Sequence, residues 1–591
     1  MAAENEQSKG PFYVGVDVGT GSARACIIDS TGHIMAIARS PIKREELIKD
    51  HITQSSNEIW GKICYCVKTV IEESKVDSLS VKGIGFDATC SLVVVDEKRH
   101  EPVAVGPNFD DQEQNIMLWM DHRAKKQTEL INETGDKCLK YVGGKMSIEM
   151  EIPKIKWLKD NCSKETFKKC KFYDLSDFLT FKATGKQNKS LCAAACKQGF
   201  LPYGVEGSTK GWSASFLNNI GLEELVENDF DKLGGPLDGS ANDINSRYHS
   251  AGAPIGTLSE QACKDLGLSK NCIVGSGVID AYAGWVGTVA ASSDIDNQET
   301  EDINHAIGRL AVVAGTSSCH IAISREPHFV NGIWGPYKDI IFENFWCSEG
   351  GQTCTGELLA YVLKVHPAYE QLQSISDKTS SSVYDTLNSI LEDMVATQEK
   401  RSVITLGKHL FYYGDLRGNR SPLGDAEMRG SIIGFSMDTT LSDLALKYYA
   451  ACEFIAQQTR HIIETMTKAG HRIKALYMSG GQCRNNLLMD LLTNATGYPV
   501  VIPEYIDSAV VFGAALLGAS ASKSFELKKA QSHEVTLWNT MKYMTKSEKV
   551  IMPQCVESSD RKLLDVKYQI YLDMAQKQKE YRSMVDFIET E

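Results

Sequence analysis

Two short glycine-bearing turns, Asp17-Val18-Gly19-Thr20-Gly21-Ser22-Ala23-Arg24 and Ala314-Gly315-Thr316-Ser317-Ser318, constrain this chain more than any other feature. Each follows an apolar, strand-like run (Tyr13 to Val18; Leu310 to Ala314) and precedes another. Each glycine therefore stands where a hairpin must turn and bare consecutive backbone N–H groups, which suit a polyphosphate. Asp17 adds what N–H groups lack, an oxygen ligand of the kind magnesium takes. Either turn alone also reads as an ordinary hairpin. Their recurrence in two halves of one chain points instead to two lobes closing on a nucleotide.

The remaining bulk properties mostly exclude. At 591 residues the chain outgrows a single core, so two or more large domains are expected. A net charge of -13 argues against nucleic acid or an anionic membrane as the main partner. Met1 to Gly10 is polar and carries Glu rather than a basic, apolar leader, and the most apolar late stretch, Ala509 to Ala519, is too short to span a bilayer, so the expected location is the cytoplasm. Seventeen cysteines, scattered without a Cys-x-x-Cys pair and often inside apolar runs, read as reduced packing residues. The Cys64/Cys66 and Cys192/Cys196 pairs have ligand-like spacing, but no second pair stands nearby to complete a metal site.

Along the chain, residues 11–292 form the expected first lobe. After the Asp17 turn, Thr31-Gly32 marks another hairpin, Asn57 to Glu73 carries a helical apolar period, and Val81 to Phe86 reads as a strand that polar residues interrupt from Asp87 to Ser91. The acidic segment Ser293 to His305 reads as an exposed connection. The expected second lobe, residues 306–522, includes a helix from Leu441 to Lys468 and a strand that leads into Gly480-Gly481 and a helix start. There the glycines would let a flat ring approach the backbone. A small-residue apolar helix, Ser508 to Ala519, is placed behind that site. Residues 523–591 read as a helical extension ending in a charged amphipathic helix, Asp560 to Met584.

Taken in order, the Gly-Thr-Gly-Ser turn after Asp17, Leu118-Trp119-Met120-Asp121-His122-Arg123, Gly275-Ser276-Gly277-Val278-Ile279-Asp280-Ala281, the Gly315 turn and Gly480-Gly481 resemble the FGGY-type carbohydrate kinases over nearly the whole chain. Thr89-Cys90-Ser91 after Asp87 is similar to the pentulose-kinase branch, as are Ser147 to Lys154, Cys196-Lys197, Ser348 to Gln352 and Gly418 to Pro422. The resemblance implies an α/β chain with the two-lobed actin/hexokinase-like (ribonuclease H-like) ATPase fold and a cleft between the lobes. It also implies ATP-dependent phosphorylation of a free ketopentose, with D-ribulose and its 5-phosphate the expected pair. Other pentuloses or pentitols (D-xylulose, L-ribulose, ribitol) are the runners-up. The same fold also serves actin-like nucleotide switches, which have no polyol pocket.

The resemblance assigns roles residue by residue. Asp280 would be the catalytic base that takes the sugar proton; read from its residues alone, it is sooner the N-cap of a helix starting at Ala281. Asp17 would serve Mg2+. Gly19, Thr20, Gly21, Ser22 and Arg24 would turn around the phosphates, with Gly315, Thr316 and Ser317 on the far side, while Gly480, Gly481 and Asn485 would line the adenosine pocket. Thr89, Cys90, Asp121, Glu149, Lys197 and Glu349 would join Asp280 around the sugar. Trp119 and Trp157 read as wall or core, and Arg123 as a brace for Asp121. Xylulokinase-like relatives carry a histidine where Cys90 follows Thr89, which disfavours xylulose. Asn494, where the family often has aspartate, removes a charge expected on the nucleotide side.

Overall fold

The computed structural model describes residues 10–237, 246–292, 302–527 and 530–590. Both halves repeat one sheet plan. In the first, Phe12–Gly19, Ser22–Ile28 and Ile34–Pro41 form an antiparallel meander; Val81–Ala88 and Ile273–Gly275 then add in parallel on the other side of Phe12–Gly19. In the second, Arg309–Ala314, Ser318–Ser324 and Trp346–Gln352 make the meander, with Ala475–Ser479 and Val500–Pro503 parallel beyond it. Phe12–Gly19 is buried along nearly its whole length, as a strand covered on both faces must be, and its sequence is accordingly apolar almost without alternation.

A meander can be closed by short turns, but a parallel addition needs a crossover. Helix Ser56–Ser74 supplies the first one. Ser55 caps it by accepting from the Glu58 N–H at 3.1 Å, and its Ile59, Ile63, Cys66, Val67 and Val70 face is buried. A five-stranded sheet, running in order through Glu45–Ile48, His51–Gln54, Ile116–Met117, Leu92–Asp96 and Cys170–Asp174, is built onto this half and carries the Trp119 run directly after its central strand.

The small-residue helix departs from expectation in length and in place. It runs Ala509–Leu527 and lies under the sheet of the first half, not behind Gly480. The reason is steric. Gly15, Gly83 and Gly85 lie so close to it that an added Cβ would stand 2.1 Å from the carbonyl oxygens of Val511, Gly518 and Ala514 respectively. At 19 residues the helix is also long and apolar enough to cross a membrane, but it is mostly buried against this sheet, as the core helix of a folded protein is.

Residues 523–591 are shared between the halves rather than forming a purely helical appendage. Helix His533–Met544 sends Leu537 and Trp538 into a core that contains residues of both halves, Ser547–Ile551 becomes the antiparallel edge strand of the second sheet, and Ser559–Thr590 packs Leu564, Tyr568 and Tyr571 onto the second half. Of the acidic connection, residues 293–301 lie outside the described residues. The part that follows turns inward, burying Ile303 and Ala306 in a short 3-10 turn.

Candidate active site

The floor of the site is a set of carboxylates. Asp17 and Asp87 are register partners on adjacent parallel strands, and both are fully buried. Arg24, across the hairpin, places Nη2 2.5 Å from Asp17 Oδ2. Apart from that Arg24 ion pair, neither carboxyl has a hydrogen-bond partner among the described residues. Burial pushes Asp17 above the ordinary carboxylate range against the pull of Arg24, and burial together with the Asp17 charge pushes Asp87 well above it. Asp87 was not among the expected site residues, although a charge interrupting an apolar strand was the available signal.

Asp280 starts helix Asp280–Val286 as its first residue rather than its cap, and its Oδ1 accepts from the Ala281 N–H at 2.8 Å. Burial and the charge of Asp17 push its carboxyl up to about 6, while the Ala281 N–H and Lys197 pull the other way. Such a group is ionised at neutral pH yet basic enough to accept a proton.

The first turn has room for a ligand. Strand pairing runs to Gly19↔Ser22, leaving Thr20-Gly21 as the loop. Neither Gly19 nor Gly21 has a positive φ, and a Cβ at Gly21 would meet nothing within 4 Å. The turn does not need glycine for its backbone; the missing side chain leaves open space. Trp119 donates Nε1–H to Thr20 Oγ1 at 3.0 Å and Gln54 donates to the Thr20 carbonyl at 2.9 Å, which fixes the loop from the side. Trp119 is thus a wall residue.

In the second turn the Gly315 carbonyl accepts from Gly356 N–H (3.2 Å) and Gln482 (2.6 Å), and that of Thr316 from Thr355 N–H (3.0 Å). Its carbonyls are occupied on the helix side, and Gly315 and Thr316 are exposed. Among the described residues no group of three or more His, Cys, Asp or Glu side chains forms a direct metal cage. Asp17, with its oxygens free of donors other than Arg24, is the carboxylate at the first turn that fits a cation.

Next to the floor lies a buried polar cluster drawn from both halves, the candidate sugar pocket. Lys197, buried at the C-terminal end of helix Leu191–Lys197, holds Nζ 4.4 Å from the Trp334 ring centroid. Burial works against its ammonium, but Cys90, Glu349, Cys196 and Glu149 outweigh it and hold the group above its ordinary value. Tyr282 donates to Glu349 Oε2 at 3.0 Å, and Trp334 is the register partner of Glu349. Thr89, also buried, lies 3.3 Å from Ser91 Oγ, and burial pushes the Cys90 thiol up to about 12, which keeps it neutral. Arg420, which sequence reasoning did not nominate, donates Nη2 to Glu149 Oε1 at 2.9 Å. Burial pushes Glu149 up, yet Arg420 and Lys197 outweigh it and hold the carboxyl below its ordinary value. Two cations, Lys197 and Arg420, thus face two carboxylates, Glu149 and Glu349.

Asp121 does not belong to this pocket. Its oxygens accept from Arg123 Nε at 2.9 and 3.0 Å, from Arg123 Nη2 at 2.6 Å and from the Ile52 N–H at 2.7 Å, with both side chains fully buried. A carboxylate so committed has no lone pair to offer a sugar. Arg123 in turn lies over Trp157, 4.8 Å from its centroid. Lys154, another residue missed in the sequence, is buried and donates to the carbonyls of Leu118, Trp119 and Glu149, tying the Trp119 run to the pocket.

On the nucleotide side the two glycines differ. Gly480 has φ +94°, and a Cβ there would lie 2.2 Å from the Ala314 carbonyl, so this glycine serves the approach of two strand ends. Gly481 has an ordinary φ, and a Cβ there would meet only Asp507 Oδ1 of the Arg484–Asp507 ion pair, at 3.9 Å. Asn485 spends its side chain as a helix N-cap, accepting from Leu488 N–H at 3.2 Å. Its Nδ2 lies toward Cys452, 3.8 Å from Sγ. Asn494 accepts from the Gln554 N–H at 2.9 Å, which ties it to the C-terminal segment.

The sequence model of the FGGY family of carbohydrate kinases matches with its N-terminal domain over residues 12–287 and with its C-terminal domain over residues 310–522. A D-ribulokinase of Saccharomyces cerevisiae is 50% identical over 98% of this chain and 94% of its own length. An FGGY carbohydrate kinase domain-containing protein of Homo sapiens is 40% identical over 98% and 99%. Among solved structures, the xylulose kinase from Rhodospirillum rubrum superposes with a TM-score of 0.73 over 96% of this chain and 99% of that one, at 15% identity, a likeness of fold.

Proposed function

This chain belongs to the FGGY family of carbohydrate kinases, and from that premise we propose that it transfers the γ-phosphoryl group of ATP to the 5-hydroxyl of D-ribulose. The observation that carries the reading is the pocket beside Asp280. Its two cations and two carboxylates balance, which suits a neutral polyol better than a charged sugar acid. The yeast relative's activity supports D-ribulose in particular.

Asp280 would accept the proton of the attacking hydroxyl as the oxygen closes on phosphorus. The N–H groups of residues 19–22 and 315–317 would face the phosphate oxygens from opposite halves. Asp17 would hold Mg2+ through water, and the ion offsets phosphate charge during transfer. Glu149, Lys197 and Glu349 would orient the sugar so that one hydroxyl lies in line. The seventeen cysteines, all free, suit a reducing cytoplasm.

The test is ADP release measured side by side with D-ribulose, D-xylulose, L-ribulose, ribitol and glycerol at saturating Mg-ATP. A buried partner left unpaired costs about 1–3 kcal/mol, about ten- to hundredfold per mismatch. D-ribulose is expected to give the highest kcat/KM. Preference for another of the four would overturn the substrate and leave the kinase; sugar-independent ADP release would overturn the polyol pocket itself.

A further inference from the structure

We propose that Arg420 is a substrate-positioning residue, which reaches from the second half of the chain to hold Glu149 of the first half against the sugar pocket and so sets the affinity for the ketose. The inference rests on the reading of that pocket as the sugar site.

Three observations carry it. First, the loop that bears Arg420 is pinned on both sides. Asn419 donates to Asp415 Oδ2 at 2.7 Å and accepts from Leu423 N–H at 2.9 Å, Gln458 donates to Asp415 Oδ1 at 2.7 Å, Thr353 donates to the Gly418 carbonyl at 3.1 Å, and Ser421 to that of Gly332 at 2.8 Å. A guanidinium on so fixed a base loses little freedom when it binds.

Second, room has been made for it. Gly351 has an ordinary φ, yet a Cβ there would stand 2.6 Å from Arg420 Cδ, and the guanidinium carbon lies 5.3 Å from the centroid of the Trp334 ring that Lys197 also approaches. Third, only Oε1 of Glu149 is taken by Arg420, and Oε2 has no hydrogen-bond partner among the described residues. A carboxylate held by one oxygen, with the other open, is an oriented acceptor for a hydroxyl. A largely buried ion pair adds little stability by itself, because desolvation offsets the attraction. Its use here is geometric.

The experiment measures KM for D-ribulose and for ATP in Arg420→Gln, Arg420→Lys, Gly351→Ala and Arg420→Gln/Glu149→Gln. Arg420→Gln is expected to raise KM for the ketose about tenfold or more while KM for ATP stays within about twofold. Gly351→Ala, which keeps every charge and only displaces the guanidinium, should move the same constant in the same direction. Arg420→Lys should restore part of the affinity. The double variant should be no worse than Arg420→Gln, because the two groups act as one. An unchanged ketose KM in Arg420→Gln or Gly351→Ala, an equal rise in KM for ATP, or a double variant clearly worse than Arg420→Gln would each overturn the proposal. Should Arg420→Gln fail to fold, Gly351→Ala and Arg420→Lys carry the test. If the wild-type enzyme prefers another polyol, the substrate reading fails, and the same KM comparison is made with the preferred sugar.

Discussion

Two glycine-to-alanine substitutions should separate what glycine does for the ligand from what it does for the fold. At Gly21 a Cβ meets nothing within 4 Å, and at Gly85 it would lie 2.1 Å from Ala514 O, 2.8 Å from Gly518 N and 3.0 Å from Leu517 Cβ. A close carbon–oxygen contact needs about 3.3 Å, so Gly85→Ala must push helix Ala509–Leu527 back by about 1 Å. Over that face a gap of this size forfeits about a quarter to a half of the dispersion attraction, and overpacking of this kind costs about 1–3 kcal/mol. With about 2–4 °C of Tm per kcal/mol for domains of this size, Gly85→Ala should melt several degrees lower.

Gly21→Ala should not change Tm, since it creates neither clash nor strain. Its methyl group instead enters the space where the triphosphate is expected, and a misplacement of about 1 Å can cost about 100-fold in rate. Thermal melts and kcat/KM for ATP on both variants decide the matter. Unchanged ATP kinetics in Gly21→Ala would remove the first turn from the phosphate site, and an unchanged Tm in Gly85→Ala would refute the packing of the helix against Val81–Ala88.

Asp280→Asn keeps size and the Ala281 contact but cannot take a proton, so kcat should fall by about two orders of magnitude or more while ATP still binds, read by turnover and calorimetry. Because Asp280 must be ionised to act and its carboxyl sits at about 6, wild-type kcat should fall on the acid side, by about tenfold per pH unit below that value. A cation near Asp17 would remove one cause of the rise and move this limb lower, never higher. A flat profile down to pH 5 in an otherwise stable enzyme would argue for another base. Asp17→Ala should raise the Mg2+ concentration needed for half-maximal rate and leave binding of free sugar intact; collapse of sugar affinity with a normal Mg2+ requirement would mean the first turn has been misassigned.

What the sequence disclosed was local. Strand–turn–strand at Asp17 and at Gly315, helix Leu441–Lys468 and the strand into Gly480 are all specified by patterns within a few residues, and the structure has them. The polar pocket was only half legible. Lys197, Glu149 and Glu349 were nominated through resemblance, whereas Arg420, Trp334 and Tyr282 complete the set by contacts between segments far apart in the chain. Asp87 matters because Phe12–Gly19 and Val81–Ala88 happen to align it with Asp17, a register that neither strand encodes alone.

The same limit governs every correction. Whether Asp121 binds sugar depends on Arg123 and on an N–H of a strand paired from elsewhere, and whether Asn485 is free depends on the helix it caps. Glycines make the point most sharply, since Gly15, Gly21, Gly480 and Gly481 look alike on paper. Gly15 faces the carbonyl of Val511, Gly480 faces that of Ala314, Gly481 has only Asp507 Oδ1 in ordinary contact at 3.9 Å, and Gly21 faces open space. A missing side chain therefore reports a function only after the atom that would have struck it is known, and for Gly15, Gly83 and Gly85 that atom comes from the other half of the chain.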